Sequence, residues 1–79
     1  MNKIIDIQPN YCVTFQRPDG VYVTVSRSPH ADFELIYSND PDGNPRLFSR
    51  HALQPFLDAN PHISAALDDL WPVYIDPSN

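Results

Sequence analysis

The chain has 79 residues, with ten Asp and Glu against five Lys and Arg, for a net charge of −5. That length supports one small domain with a modest core, holding about 3–5 kcal/mol of net stability. The acidic balance argues against direct nucleic-acid binding, which is driven by Lys and Arg releasing counterions from phosphates.

Cys12 is the only cysteine, so no disulfide can form within the chain. A reducing, cytoplasmic setting is the expectation. The start, Met1-Asn2-Lys3 before Ile4-Ile5-Asp6-Ile7, is too short and too charged for a signal core. No apolar run reaches membrane-spanning length, so no membrane contact is expected.

In chain order, Ile4 to Ile7 predicts a short strand closed by Pro9-Asn10. Tyr11 to Gln16 alternates, with Tyr11, Val13 and Phe15 on one face. Val21 to Arg27 alternates again, with Val21, Val23 and Val25 together. Between them stands Pro18-Asp19-Gly20, repeated later as Pro41-Asp42-Gly43; these hold the only two glycines. Proline presets φ, aspartate bonds the backbone ahead, and glycine takes a positive φ cheaply, so both read as hairpin turns. Phe33 to Ser38 predicts a further strand with Phe33, Leu35 and Tyr37 on one face, and Arg46-Leu47-Phe48 a short return strand.

The period then changes to that of a helix. Ser49 is a natural N-cap before Arg50. Pro55 implies either a kink in that helix or a start near Gln54. In the second helix Asn60 is the expected cap and Pro61 the first residue. Ile63, Ala66, Leu67, Leu70 and Trp71 form its apolar stripe. Asp68 and Asp69 fall in its last turn, against the helix dipole. Pro72 ends it, and Val73-Tyr74-Ile75 predicts an extended segment able to pair with a sheet edge.

The resulting fold class is a small α+β domain spanning residues 1–79. An antiparallel meander of about four strands is expected, with the N-terminal strand as a further edge. Two short C-terminal helices would cover the face carrying Val13, Phe15, Val23, Val25, Leu35 and Leu47.

No catalytic frame is visible. His30, His51 and His62 have no shared metal-binding spacing, and no nucleophile elbow surrounds any serine. Asp40-Pro41-Asp42-Gly43-Asn44 has oxygen side chains at alternate positions, but it lacks the distal acid of a calcium loop. Two isolated glycines build no phosphate cradle. Tyr22 and Thr24 with Arg17 and Arg27 on an open sheet face would suit base stacking, yet one aromatic in an acidic chain is little. The second helix carries Asp68 and Asp69 and no Lys or Arg, which excludes a recognition helix. No enzyme, cofactor or metal is therefore expected.

What remains is a non-enzymatic protein-binding module. Trp71 and Tyr74 with Asp68, Asp69 and Asp76 form one candidate patch, because binding hot spots favour aromatic anchors. Tyr22 with Glu34 and Ile36 on the open sheet face forms a second. The expected partner is another protein with a basic surface. An inhibitor or accessory protein that fills a basic groove fits this profile, of the kind phages and mobile elements carry. A nucleic-acid mimic would further require its acids in a row on one surface. The alternative is a homo-oligomeric component, such as a homodimer, joined at sheet edges or near Trp71.

Overall fold

A computed structural model describes residues 2–71, and in it the alternating segments form one antiparallel sheet of five strands in chain order. The strands are β1 (Lys3–Gln8), β2 (Cys12–Gln16), β3 (Tyr22–Arg27), β4 (Phe33–Tyr37) and β5 (Arg46–Phe48). Helices α1 (Arg50–Ala59) and α2 (Pro61–Asp68) follow. The chain is thus a small α+β fold, with the N-terminal strand at one edge of the meander. The extended segment expected at Val73-Tyr74-Ile75 lies outside the described residues.

Local chemistry sets the corners. In the β2–β3 turn the Gly20 N–H donates to the Arg17 carbonyl (2.9 Å) and the Arg17 N–H to the Val21 carbonyl (2.9 Å). Gly20 has φ +89°, the value a glycine bulge needs after such a turn. The Asp19 carboxylate accepts from the Val21 N–H (3.2 Å), as an aspartate in a turn should. Gly43, at φ +63°, closes a similar turn onto the Asp40 carbonyl (3.1 Å), but inside a wider excursion between β4 and β5. The β1–β2 corner has its own device. The Tyr11 N–H donates to the Gln8 carbonyl (3.0 Å), with Pro9 second in the turn and Asn10 third, at φ 70°. Proline then a positive φ is the order of a type II turn.

Register decides which side chains face the helices. Val13 pairs with Val25, Phe15 with Val23, Val25 with Leu35, and Phe33 with Phe48. All except Phe48 are buried, and Phe48 packs against them. Leu47 was expected in this set, but it pairs with Glu34 on the opposite face and is 51% exposed. Phe48 takes the inward place because it meets Phe33 across the ladder. Tyr11 also leaves the expected inner face: it sits in the β1–β2 turn, 73% exposed.

Arg17 and Arg27, placed on the open face by the sequence reading, belong by alternation with Phe15 and Val25. Their guanidinium groups lie over the Tyr37 ring (5.9 Å) and the Phe33 ring (5.2 Å).

The helices cover the inner face. Ser49 caps α1 as expected, its Oγ accepting from the Ala52 N–H (3.0 Å). The helix runs through Pro55, so it starts at Arg50 and not near Gln54. Pro55 leaves the His51 carbonyl without its helical donor, and both residues are exposed, so water can supply one. Asn60 ends α1 and precedes α2, but its side chain makes no cap bond to α2. Instead its Nδ2 donates to the Phe56 carbonyl (2.9 Å), and its Oδ1 accepts from the Asn2 side chain (3.0 Å). Leu53, Leu57, Ile63, Leu67 and Leu70 complete the buried core above the sheet. Each fully buried side chain of this size contributes about 1.5–3 kcal/mol.

Candidate protein-binding groove

The helices leave the inner face of the sheet partly open at the end of β1, where Ile7 is half exposed. α2 packs over β2 and α1 near β5. Within β1 a register shift at Ile5 places Lys3 and Asp6 on the open face and Ile4 and Ile7 on the inner one. Ile4 packs against the core, whereas Ile7 remains 50% exposed.

Ile7 forms one wall of a groove of about 580 Å³. Pro9 and Asn10 from the β1–β2 turn continue that wall. Ala66 and Leu70 form the opposite one, with Asp68, Asp69 and Trp71 at the end of α2. Trp71 does not join the apolar stripe of α2. The helix ends at Asp68, and the tightened turn Leu70 N–H to Leu67 carbonyl (3.1 Å) carries the chain off its axis. The Trp71 N–H then donates to the Asn10 carbonyl (3.1 Å), which ties it to the β1–β2 corner and leaves the residue 64% exposed. Asn10, in its left-handed conformation, positions the tryptophan.

Of the expected site residues, Asp68, Asp69 and Trp71 therefore come together in this groove. Tyr74 and Asp76 lie outside the described residues. Ile7, Pro9 and Asn10 were missed as site residues. The only sequence signal for them was an isoleucine and a Pro-Asn corner at the chain's first hairpin. The second expected patch, Tyr22, Glu34 and Ile36, does lie on the open face, joined there by Leu47. Glu34 is held by the Ser26 hydroxyl (3.3 Å), and Thr14 and Thr24 pair across the ladder (3.0 Å).

Charge is partitioned around the sheet. The chain's four arginines pair off over two rings of β4. Arg17 and Arg46 sit over Tyr37, and Arg27 and Arg50 over Phe33. Arg17 is further tied to Asp19, and Arg46 lies 3.9 Å from Asp40, so the depression beside Tyr37 is close to neutral. The hydrogen bonds from Arg17 and from the Val21 N–H hold the Asp19 carboxyl below the usual carboxylate range. Arg50 reaches Asp68 (3.4 Å) on the surface. Among the described residues Asp69 has no ion-pair partner, and the groove is lined by two carboxylates and no cation.

The remaining acids are dispersed. Asp6 and Glu34 lie on the open face, Asp19, Asp40 and Asp42 in the turns, Asp32 in the β3–β4 loop beneath the Arg50 N–H, and Asp58 on α1. They form no row, which counts against the nucleic-acid mimic. Among the described residues no three His, Cys, Asp or Glu side chains converge as a metal site, and no helix is long and apolar enough to cross a membrane. Compared with protein-family models, curated proteins and solved structures, the chain matches none.

Proposed function

We propose that the chain is a non-enzymatic protein-binding module that works through the groove between β1 and the end of α2. The observation that carries this reading is Trp71. A large aromatic residue costs the most to leave in water, and this one is fixed there by a backbone bond to Asn10. Beside it Ile7 is half exposed, and Asp68 and Asp69 complete the rim. An apolar seat with an aromatic anchor and a charged border is the anatomy of a binding hot spot. The rim selects a partner with a basic surface, and the single thiol of Cys12 suits action in a reducing cytoplasm.

Self-association through the sheet edges is the weaker reading. The β1 edge carries a register shift at Ile5, and β5 is only three residues long after Pro45. Both features blunt an edge against pairing.

The test is capture of a partner from lysate of the source cells on the immobilised chain. Retention should fall sharply for Ile7→Gln and Trp71→Ala, since truncating such an anchor costs about 2 kcal/mol or more. It should persist for Leu47→Gln on the open face. Equal retention by all three variants would reject the groove.

A further inference from the structure

We propose that Asp42, between β4 and β5, is a site of spontaneous covalent modification, where the chain isomerises to isoaspartate through a succinimide closed by the Gly43 nitrogen, while the same Asp-Gly pair at Asp19 is locked against it. The site lies on the β5 side of the sheet, away from β1, and stands independently of the groove.

The chemistry is intramolecular. The Gly43 amide nitrogen bonds to Cγ of Asp42 and loses its proton, and the carboxyl hydroxyl leaves with that proton as water. Water then adds to either carbonyl of the ring. Breaking the bond from nitrogen to Cγ restores aspartate. Breaking the bond from nitrogen to the main-chain carbonyl carbon yields isoaspartate, whose chain runs on through Cβ and Cγ. No other reagent is consumed, and the net mass is unchanged. Glycine favours the closure because it has no Cβ to hinder its nitrogen.

Two Pro-Asp-Gly turns in one chain supply an internal comparison. Their glycines are alike. Gly20 donates to the Arg17 carbonyl (2.9 Å) and Gly43 to the Asp40 carbonyl (3.1 Å), and no atom lies within 4 Å of where a Cβ would stand on either. The carboxyls differ. Asp19 is gripped by Nε and Nη2 of Arg17 and by the Val21 N–H (3.2 Å), which hold it in place and ionised. Closure needs a carboxyl that is neutral and free to turn onto the next nitrogen, and Asp19 is neither. Asp42 is exposed, and among the described residues its carboxyl has no ion-pair partner and accepts no hydrogen bond. Its only polar tie is its own N–H, which donates to Asp40 Oδ1 (3.0 Å). The main chain differs too. Residues 17–21 are clamped between paired strands by the Arg17 N–H to Val21 carbonyl bond (2.9 Å). Residues 39–45 belong to no strand, so local opening there frees the Gly43 nitrogen at little cost. Isoaspartate at this position adds one carbon to the main chain and moves Gly43 off the Asp40 carbonyl, which loosens the loop that brings Asp40 to 3.9 Å from Arg46.

The test ages the full chain in neutral buffer at a temperature where it stays folded. Trypsin then places Asp19 in residues 4–27 and Asp42 in residues 28–46, because it does not cut before Pro18. Electron-transfer mass spectrometry distinguishes isoaspartate from aspartate in each peptide. Isoaspartate should accumulate at Asp42 about fivefold faster than at Asp19, or more. In urea the two sites should convert at nearly the same rate. Arg17→Gln should speed conversion at Asp19, and Asp42→Glu, which would have to close a larger ring, should remove the product at that position. Equal rates at the two aspartates of the folded chain would overturn the proposal, as would an Asp42 that converts in urea and stays intact in the folded chain. An unchanged Asp19 rate in Arg17→Gln, with the circular dichroism spectrum intact, would overturn the lock assigned to Arg17.

Discussion

Leu67 and Leu47 make a matched test of the two-layer arrangement, because the same substitution has opposite consequences at the two sites. Leu67 on α2 is fully buried among Leu57, Ile63 and the sheet valines. Truncation to alanine removes three carbons, worth about 0.8 kcal/mol each in transfer free energy. It also leaves a cavity that helix and sheet can only partly close, so the whole cost is about 2.7–5 kcal/mol. The domain holds only about 3–5 kcal/mol in total, so Leu67→Ala should be largely unfolded at room temperature. Leu47 is half exposed on the open face, where solvent fills the space that truncation leaves. Leu47→Ala should cost about 1 kcal/mol or less, a shift in melting temperature of about 4–8 °C at most. Urea and thermal melts followed by far-ultraviolet circular dichroism separate the two. A Leu47→Ala variant as damaged as Leu67→Ala would refute the register of β5 and the open face with it.

Gly20→Ala should cost about 1–2 kcal/mol through backbone strain alone, since φ is +89° and no atom lies within 4 Å of the added Cβ. Urea titration should show Gly20→Asn recovering part of that loss, because asparagine tolerates the left-handed region better. Asn10→Val should lose about 1–3 kcal/mol and weaken partner binding, whereas Asn10→Gly should keep both, as φ 70° and the bond to Trp71 require. The Asp19 carboxyl should titrate below the usual carboxylate range by NMR, and Arg17→Gln should move its midpoint back up. Its folded pKa is lowered, so the stability it contributes is present above the unfolded value of about 3.9. That contribution is lost as pH falls through the folded value. A midpoint at or above the ordinary value would contradict the Arg17–Asp19 contact.

Periodicity and turn chemistry agree over β2, β3 and the Pro18-Asp19-Gly20 corner, where Val13, Phe15, Val23 and Val25 turn inward as expected, and only Tyr11, Arg17 and Arg27 at the segment ends depart from the expected face. The Ser49 cap and the buried stripe Ile63, Leu67 and Leu70 also stand as expected. Errors arise where a segment is too short for its period to choose a face. Three residues of β5 fit either side of a sheet, and only the pairing of Phe48 with Phe33 turns Leu47 outward. Asn60 takes the N-cap position of α2 as expected, yet its side chain bonds to Asn2 across the fold and to the Phe56 carbonyl one turn back instead of capping the helix. Trp71 fell on the helical stripe by spacing. Nothing local announces that α2 ends at Asp68 and that the next turn swings the tryptophan onto Asn10. The groove was legible only in part for the same reason. Its acids and its aromatic are neighbours in the chain, but Ile7 arrives from the far end through the meander, on the edge strand where it stays half exposed.

The solvation of Trp71 tests this account most directly. As the single tryptophan, it can be followed by its own fluorescence and by acrylamide quenching. The native chain should emit at the long wavelength of a hydrated indole and be quenched nearly as readily as in urea. A blue-shifted, quencher-protected indole in the isolated native monomer would place Trp71 in the core and close the groove.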